Sequence, residues 1–544
     1  MRRILCGLLF LAAVSTTVAE QRTTAEASGF TRTSTYAEVV DFLRQTAAGS
    51  PLVTLTTLGR SVEGRDIPLV ILSRERIRTP LELRSSGKGA VLIMANIHAG
   101  EVEGKEACQM LIREIASGRL AVLLNTQVVL VIPIFNTDGN EQLGRNRRDN
   151  GPELAGVRHN GQYLDLNRDF VKLESPEVRA LVRLLRDWDP VLVVDMHTTN
   201  GSHHRDPVTF SAGTHPASAR LLTEYMWERL LPAVARRLKE EYGWGSIPYG
   251  TFVNPEFPEL GWENDAVEMR YGSNYITLRN RLAILDENYS YADFRTRVLA
   301  SFDFVKSILE YTASHMAEMI SLTRRVDAET REALQSQPFP VAWQLSPLMD
   351  VTVRGYEHEK VPTTAEQRLR FPWWGEFRMV PTAVERDYTA PYIAKAVPTR
   401  EIALPAGYLL LPGFDEGAAV LAAHGISVER FLQPAVMSVE RFSLTGVQVA
   451  DRLFQGRALV ALTGEYTETL HEVPEGTLFV DMHQPLARLI PVLLEPESSD
   501  SLAAWGFFNR SLVRQWSAEP GVYPVFRLHA RPTVPMEVLQ SSTH

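Results

Sequence analysis

Four apolar runs constrain this chain more than anything else in it. They are "AVLIMANI" (90–97), "TQVVLVIPIFN" (126–136), "PVLVVDMH" (190–197) and "RLAILDE" (281–287). None alternates apolar with polar residues, so each reads as a strand buried on both faces. Helical patterns separate them. One starts near Glu103, and another follows "SPE" at 175–177, where Ser175 caps and Pro176 takes the first turn. Long helices are expected over 217–243 and 291–322, and two strands flank the turn "RSVEGRD" (60–66). Alternation of this kind predicts an α/β fold, a three-layer α/β/α arrangement on a mostly parallel or mixed sheet. Beyond about 328 the texture changes to short β-like runs punctuated by proline, glycine and tryptophan, which predicts a β-rich C-terminal accessory region of one or two units over 328–544. The tryptophans of "FPWWGEF" read as packing for that region.

The 544 residues are 45% hydrophobic and 22% charged, with a net charge of -9 and no basic stripe, so nucleic acid is not an expected partner. "MRRILCGLLFLAAVSTTVAE" reads as a signal peptide ending after Ala19. It places the protein in the periplasm or outside the cell. No later stretch has the roughly 20 apolar residues of a membrane span. Cys6 lies in the leader, which leaves Cys108, in a helical stretch, as a small core residue and excludes an intrachain disulfide.

G-x-S-x-G, P-loop, G-x-G-x-x-G and H-E-x-x-H signatures are all absent. What remains stands at strand ends, where ligands gather in open α/β sheets. His98 follows the first buried strand, Glu101 comes three residues later, and His197 closes "PVLVVDMH". A His₂Glu set leaves a position for water, as in catalytic rather than structural zinc sites. A hydrolase also needs a base and a cation for the developing oxyanion. "LAILDE" offers Asp286 and Glu287; the loop "VRHNGQYLDLNRDF" offers Arg158 and the pair Asn167–Arg168, suited to clamping a carboxylate. Asp195, two residues before His197, is a candidate partner for that histidine. His203 and His204 read as loop residues lining a cleft.

In chain order, "HAGE", "RHNGQYLDLNRD", "DMH", "RYGSNYITLRN" and "LAILDE" resemble the zinc carboxypeptidases of the carboxypeptidase A type, bacterial members in particular. The likeness covers roughly 36–322 and marks 36–325 as the catalytic domain, with the mixed sheet of the phosphorylase/hydrolase-like fold. It implies one Zn²⁺ held by His98, Glu101 and His197, with Glu287 rather than Asp286 as general base. Arg158 is implied for the oxyanion, with Arg147 and Arg148 as rivals. Asn167 and Arg168 are implied to bind a terminal carboxylate, and Tyr275 or Tyr271 to cover the substrate. Asp169 departs from the usual asparagine, and its charge beside Arg168 is expected to weaken that hold. The implied partner is a peptide with a free C-terminal carboxylate. A zinc amidase or endopeptidase acting on cell-wall peptides or N-acyl amino acids shares most of these features. A non-catalytic peptide-binding protein on the same scaffold is the reading from another class.

Overall fold

The computed structural model describes residues 18–146, 148, 150–370, 375–514, 516 and 521–539. Most of the expected leader, Arg147 and the tryptophans of "FPWW" lie outside the described residues.

The main sheet has eight strands. They are β1 (Val53–Arg60), β2 (Asp66–Leu72), β3 (Gly89–Ala95), β4 (Gln127–Ile132), β5 (Leu192–Thr199), β6 (Val208–Ala212), β7 (Ser246–Pro248) and β8 (Leu282–Tyr289). Their spatial order is β1-β2-β4-β3-β5-β8-β6-β7. The inner strands β4, β3, β5 and β8 run parallel, and antiparallel pairings at β1/β2, β2/β4 and β6/β8 make the sheet mixed. Side chains alternate between two apolar faces. Val91, Ile93, Val129 and Val131 meet Leu111 and Ile112 of helix α1 (Glu103–Ala116); Phe304 and Ile308, from a 40-residue helix described below, complete that face. Leu92, Met94, Leu130 and Ile132 point the other way, toward Val178, Leu181 and Leu185 of α2 (Pro176–Trp188) and Ile276 of α3 (Gly272–Leu278). Burying each such side chain stabilises the fold by roughly 1.5–3 kcal/mol, which is why both faces must be covered. The long helix is α4 (Phe294–Ala333), and it runs through the expected seam at 325–328.

The helix expected over 217–243 is interrupted. It runs α-helical over Arg220–Tyr225, widens to a π-type turn over Met226–Leu230, and resumes over Leu231–Tyr242. Pro232 lacks the N–H that an unbroken α-helix would use there, which accounts for the widened turn just before it.

The C-terminal region is indeed β-rich, built around two long antiparallel ribbons. β9 (Phe339–Pro362) pairs with β10 (Phe377–Ile402), and β11 (Ala435–Phe454) with β12 (Arg457–Val473). Tyr408, Leu410, Leu421, Leu489 and Trp505 continue the apolar cluster on the α2 face of the main sheet. The β-rich region therefore packs against the layer that carries α2 and α3. Among the described residues, no helix is long and apolar enough to cross a membrane.

Candidate active site

The chain turns sharply where β3 ends. Asn96 takes a positive φ of 65°, and its side-chain amide donates to the carbonyls of Ala99 (3.3 Å) and Glu101 (3.0 Å). Asparagine tolerates this left-handed conformation better than other side chains that could fill the position. The Glu101 N–H closes the turn on the His98 carbonyl at 2.9 Å. His98 and Glu101 are thereby aimed back over the sheet, where β5 delivers His197. In the parallel β5/β8 pairing Glu287 lies directly beside His197.

One ligand atom from each of His98, Glu101 and His197 lies within 4.8 Å of the others, and all three residues are buried. His98 Nδ1 is 2.9 Å from Glu101 Oε1, His197 Nδ1 is 3.0 Å from Glu101 Oε2, and the two Nδ1 atoms are 3.2 Å apart. The opposite ring nitrogens face carboxylates: His98 Nε2 is hydrogen-bonded to Asp165 Oδ1 at 2.9 Å, and His197 Nε2 lies 3.0 Å from Asp195 Oδ2. A carboxylate on one ring nitrogen fixes the tautomer that leaves the other nitrogen a lone pair. Two lone pairs and a carboxylate converging in a buried space form a donor set suited to a divalent cation.

Charge follows this geometry. Burial opposes ionisation of Glu101, but His98 and Arg148 outweigh it and hold the carboxyl well below its ordinary value. Asp165 likewise stays below the usual carboxylate range despite burial, because His98, Arg158 and Arg168 surround it. His197 is pushed upward by Asp195 and Glu101 against the effect of burial. Glu287 moves the other way. Burial first, then repulsion from Glu101, raises it to about 8, with His197, Arg148 and Arg158 pulling down. Asp286 points to the opposite face of β8, is fully buried beside Glu103, and does not line the cleft.

The cleft has a volume of about 210 Å³ and is lined by His98, Glu101, Arg158, Arg168, Tyr271 and Glu287 among others. Arg158 Nε donates to Asp165 Oδ2 at 2.7 Å and its Nη1 lies 3.6 Å from Glu101. Arg148 is closer to the ligand set, with Nη2 at 2.6 Å from Glu101 Oε1 and 2.9 Å from the Thr198 carbonyl, so both arginines reach the cleft. Asn167 accepts the Gly272 N–H at 2.8 Å, which ties the D-L-N-R loop to the start of α3. The Arg168 guanidinium stacks over the Tyr271 ring at 4.2 Å. Tyr275 is excluded from the cleft. It is fully buried, with its hydroxyl 2.9 Å from His424 Nδ1 of the C-terminal region. Of the two candidates, only Tyr271 faces the cleft.

Two further expectations need correction. Asp169 does not burden Arg168. Its buried carboxylate turns away and accepts from Lys172 Nζ (2.6 Å), the Ser175 N–H (2.8 Å) and the Ser175 hydroxyl (2.7 Å). His203 and His204 do not line the cleft: they stack on Tyr291 and Tyr289 at 3.8 and 3.9 Å. Burial, reinforced by His203, lowers His204 to about 3. Cys108 is buried against Met196, and burial pushes its thiol up, as befits a core residue. Asp165 has no role in the reading of the sequence, although it stands inside the D-L-N-R motif two residues before Asn167. Tyr249, which also lines the cleft, carried no signal at all.

A metal-ready triad with a half-buried carboxylate beside it, at the carboxyl end of an α/β/α sheet, is an arrangement suited to metal-dependent hydrolysis. Residues 39–204 match the family model described as zinc carboxypeptidase. It is 25% identical over 502 residues to "Carboxypeptidase 2" of Trichophyton equinum, covering 90% of this chain and 85% of that protein. It is 34% identical over 181 residues to "Carboxypeptidase D" of Mus musculus, covering 28% of this chain and 13% of that one. A metallo-carboxypeptidase structure from Burkholderia cenocepacia aligns over 52% of this chain and 70% of its own, at 18% identity and a TM-score of 0.40.

Proposed function

We propose that this chain is an exported zinc metallocarboxypeptidase that removes amino acids from the C-terminal end of peptides. The observation that carries this reading is the sharing of one 210 Å³ cleft by His98, Glu101, Glu287, Arg158 and Arg168. His98, Glu101 and His197 would hold the zinc. When bound, zinc polarises a carbonyl and makes water a competent nucleophile near neutral pH. The chain's own residues do the rest. Arg168, positioned by Tyr271 and by the loop through Asn167, pairs with the substrate's terminal carboxylate through its planar fork. With Asp169 spent on Lys172 and Ser175, nothing on the neighbouring residue competes for that pairing. Glu287 takes the proton from the attacking water and returns it to the leaving amine. Its raised affinity for a proton suits both transfers. Arg158, oriented by Asp165, presents its remaining N–H groups to the oxygen on which charge develops.

Hydrolysis of paired peptides with free and amidated C-termini, before and after chelation, tests the assignment. Release of the terminal residue only from the free form, only with metal, is expected. Equal cleavage of the amidated peptide would overturn the exopeptidase reading.

A further inference from the structure

The β11/β12 ribbon ends in a two-residue turn, Gln455–Gly456, with Phe454 paired to Arg457. Both turn residues have positive φ, 50° and 75°. Turns of this geometry favour asparagine then glycine, because a left-handed φ is costly for most other side chains. Glutamine here needs a reason, and the reason lies 290 residues away in sequence. Gln455 Oε1 accepts the backbone N–H of Asp165 at 2.8 Å.

Asp165 joins the two halves of the cleft. One carboxylate oxygen holds His98 Nε2 (2.9 Å) and caps the Asn167 N–H (3.0 Å), and the other holds Arg158 Nε (2.7 Å). The loop that carries it has little regular structure, only a single 3₁₀ turn at Leu166–Arg168. Asn160 Oδ1 holds the loop from within by accepting the N–H groups of Gln162 and Leu164 (2.9 and 3.1 Å), and the ribbon adds an external anchor that is itself fixed. Arg457, just past the turn, donates to Glu174 Oε1 (2.9 Å) and to the Trp505 carbonyl (2.7 Å). Phe454 packs on Trp505 with ring centroids 5.8 Å apart, and Arg270 lies over both rings. Gln455 does not line the cleft.

We propose that Gln455 is a positioning residue: the accessory region reaches into the catalytic domain and, through the Asp165 backbone, holds His98 and Arg158 in register. One methylene more than asparagine provides the reach, at the expense of a less favourable turn. The proposal rests on the zinc site of the preceding reading but not on its substrate.

Three full-length variants test it. Gln455→Asn improves the turn and loses the reach; Gln455→Glu keeps an acceptor oxygen at the same reach; Leu470→Ser alters an exposed side chain elsewhere on the ribbon. Partners one step behind a metal ligand change affinity by 10–100-fold, and Gln455 is a step further out, so a loss of roughly three- to tenfold is expected in Gln455→Asn. That loss should appear in zinc affinity, measured by chelator competition, and in kcat, with KM within about twofold. The melting temperature should equal or exceed wild type. Gln455→Glu should restore both quantities, and Leu470→Ser should change neither. Wild-type behaviour in Gln455→Asn would overturn the proposal. So would a parallel fall in its melting temperature, or failure of Gln455→Glu to rescue. If the wild type binds zinc but leaves free-C-terminal peptides intact, the proposed function fails, and zinc affinity alone still decides the role of Gln455. A wild type that binds no zinc ends both.

Discussion

The two halves of the cleft are built differently. His98, Glu101, His197 and Glu287 come from the ends of adjacent parallel strands whose apolar faces are fully covered, so the sheet fixes their spacing. Arg148, Arg158, Asp165, Asn167 and Arg168 come from the connection between β4 and α2, whose described residues are held largely by ion pairs and by contacts from α3 and the C-terminal ribbon. The sheet sets most of the spacing of the metal-binding residues, and from the loop half only Asp165 reaches in to brace His98. A loop half presents charge to a substrate only if distant parts of the chain brace it. Damage to the first half should therefore fall on chemistry, and damage to the second on a mixture of chemistry and position.

The largest effect is expected in the rigid half. Glu287→Gln removes the proposed proton acceptor while keeping the shape, and kcat should fall about 10³-fold, since a positioned acid–base group contributes roughly 10²–10⁴. The same variant has a signature in the metal-free protein. The fold raises Glu287 from the ordinary 4.5 to about 8, so between those values the folded state binds more protons than the unfolded chain. Stability from this group is full below about pH 4.5 and is lost as pH rises through about 8. Relative to wild type, chelated Glu287→Gln should gain melting temperature at pH 8 and not at pH 4.5. Substantial turnover in the variant would remove Glu287 from the mechanism.

The same contrast decides how much the sequence reveals. Strand-end ligands are legible because burial on both faces leaves an unbroken apolar run, and the polar residue that ends it stands out. The bracing is not legible, because it depends on residues far apart in the chain. Gln455 meets Asp165 across 290 positions, and no local pattern marks either as a partner of the other. Tyr271 and Tyr275 both sit in the motif, and only packing separates them. The ribbons hid for another reason. β9 and β10, 24 and 26 residues long, are solvated over much of both faces, so they lack the alternation that would betray their length. The interruption at Pro232 was visible as a residue, but the long apolar pattern around it overrode the signal.

A smaller effect belongs to the loop half. Arg158→Ala should lower kcat about 10²-fold, the typical loss for one oxyanion donor. Arg148→Ala is the comparison that sharpens this. In the described geometry Arg148 is paired with Glu101 itself, so its removal should mainly alter metal affinity, read by chelator competition, with a smaller change in kcat. If Arg148→Ala costs more in kcat than Arg158→Ala, the oxyanion role passes to Arg148.

The smallest effects separate two tyrosines one helical turn apart. Tyr271 lines the cleft under Arg168, so Tyr271→Phe keeps the ring that supports the guanidinium and loses only the hydroxyl. A change of a fewfold in kcat/KM is expected, with no change in stability. Tyr275 lies on the buried side of α3, and its hydroxyl meets His424 Nδ1 and Arg279 Nη1. Tyr275→Phe leaves those buried groups short of a partner, which costs roughly 1–3 kcal/mol, so its denaturant midpoint should fall while kcat/KM stays within about twofold. A reversal, with Tyr275→Phe impairing catalysis and Tyr271→Phe destabilising the fold, would mean that α3 turns its other face to the substrate. The division between a chemical face and a braced face would then be wrong at the one helix where both meet.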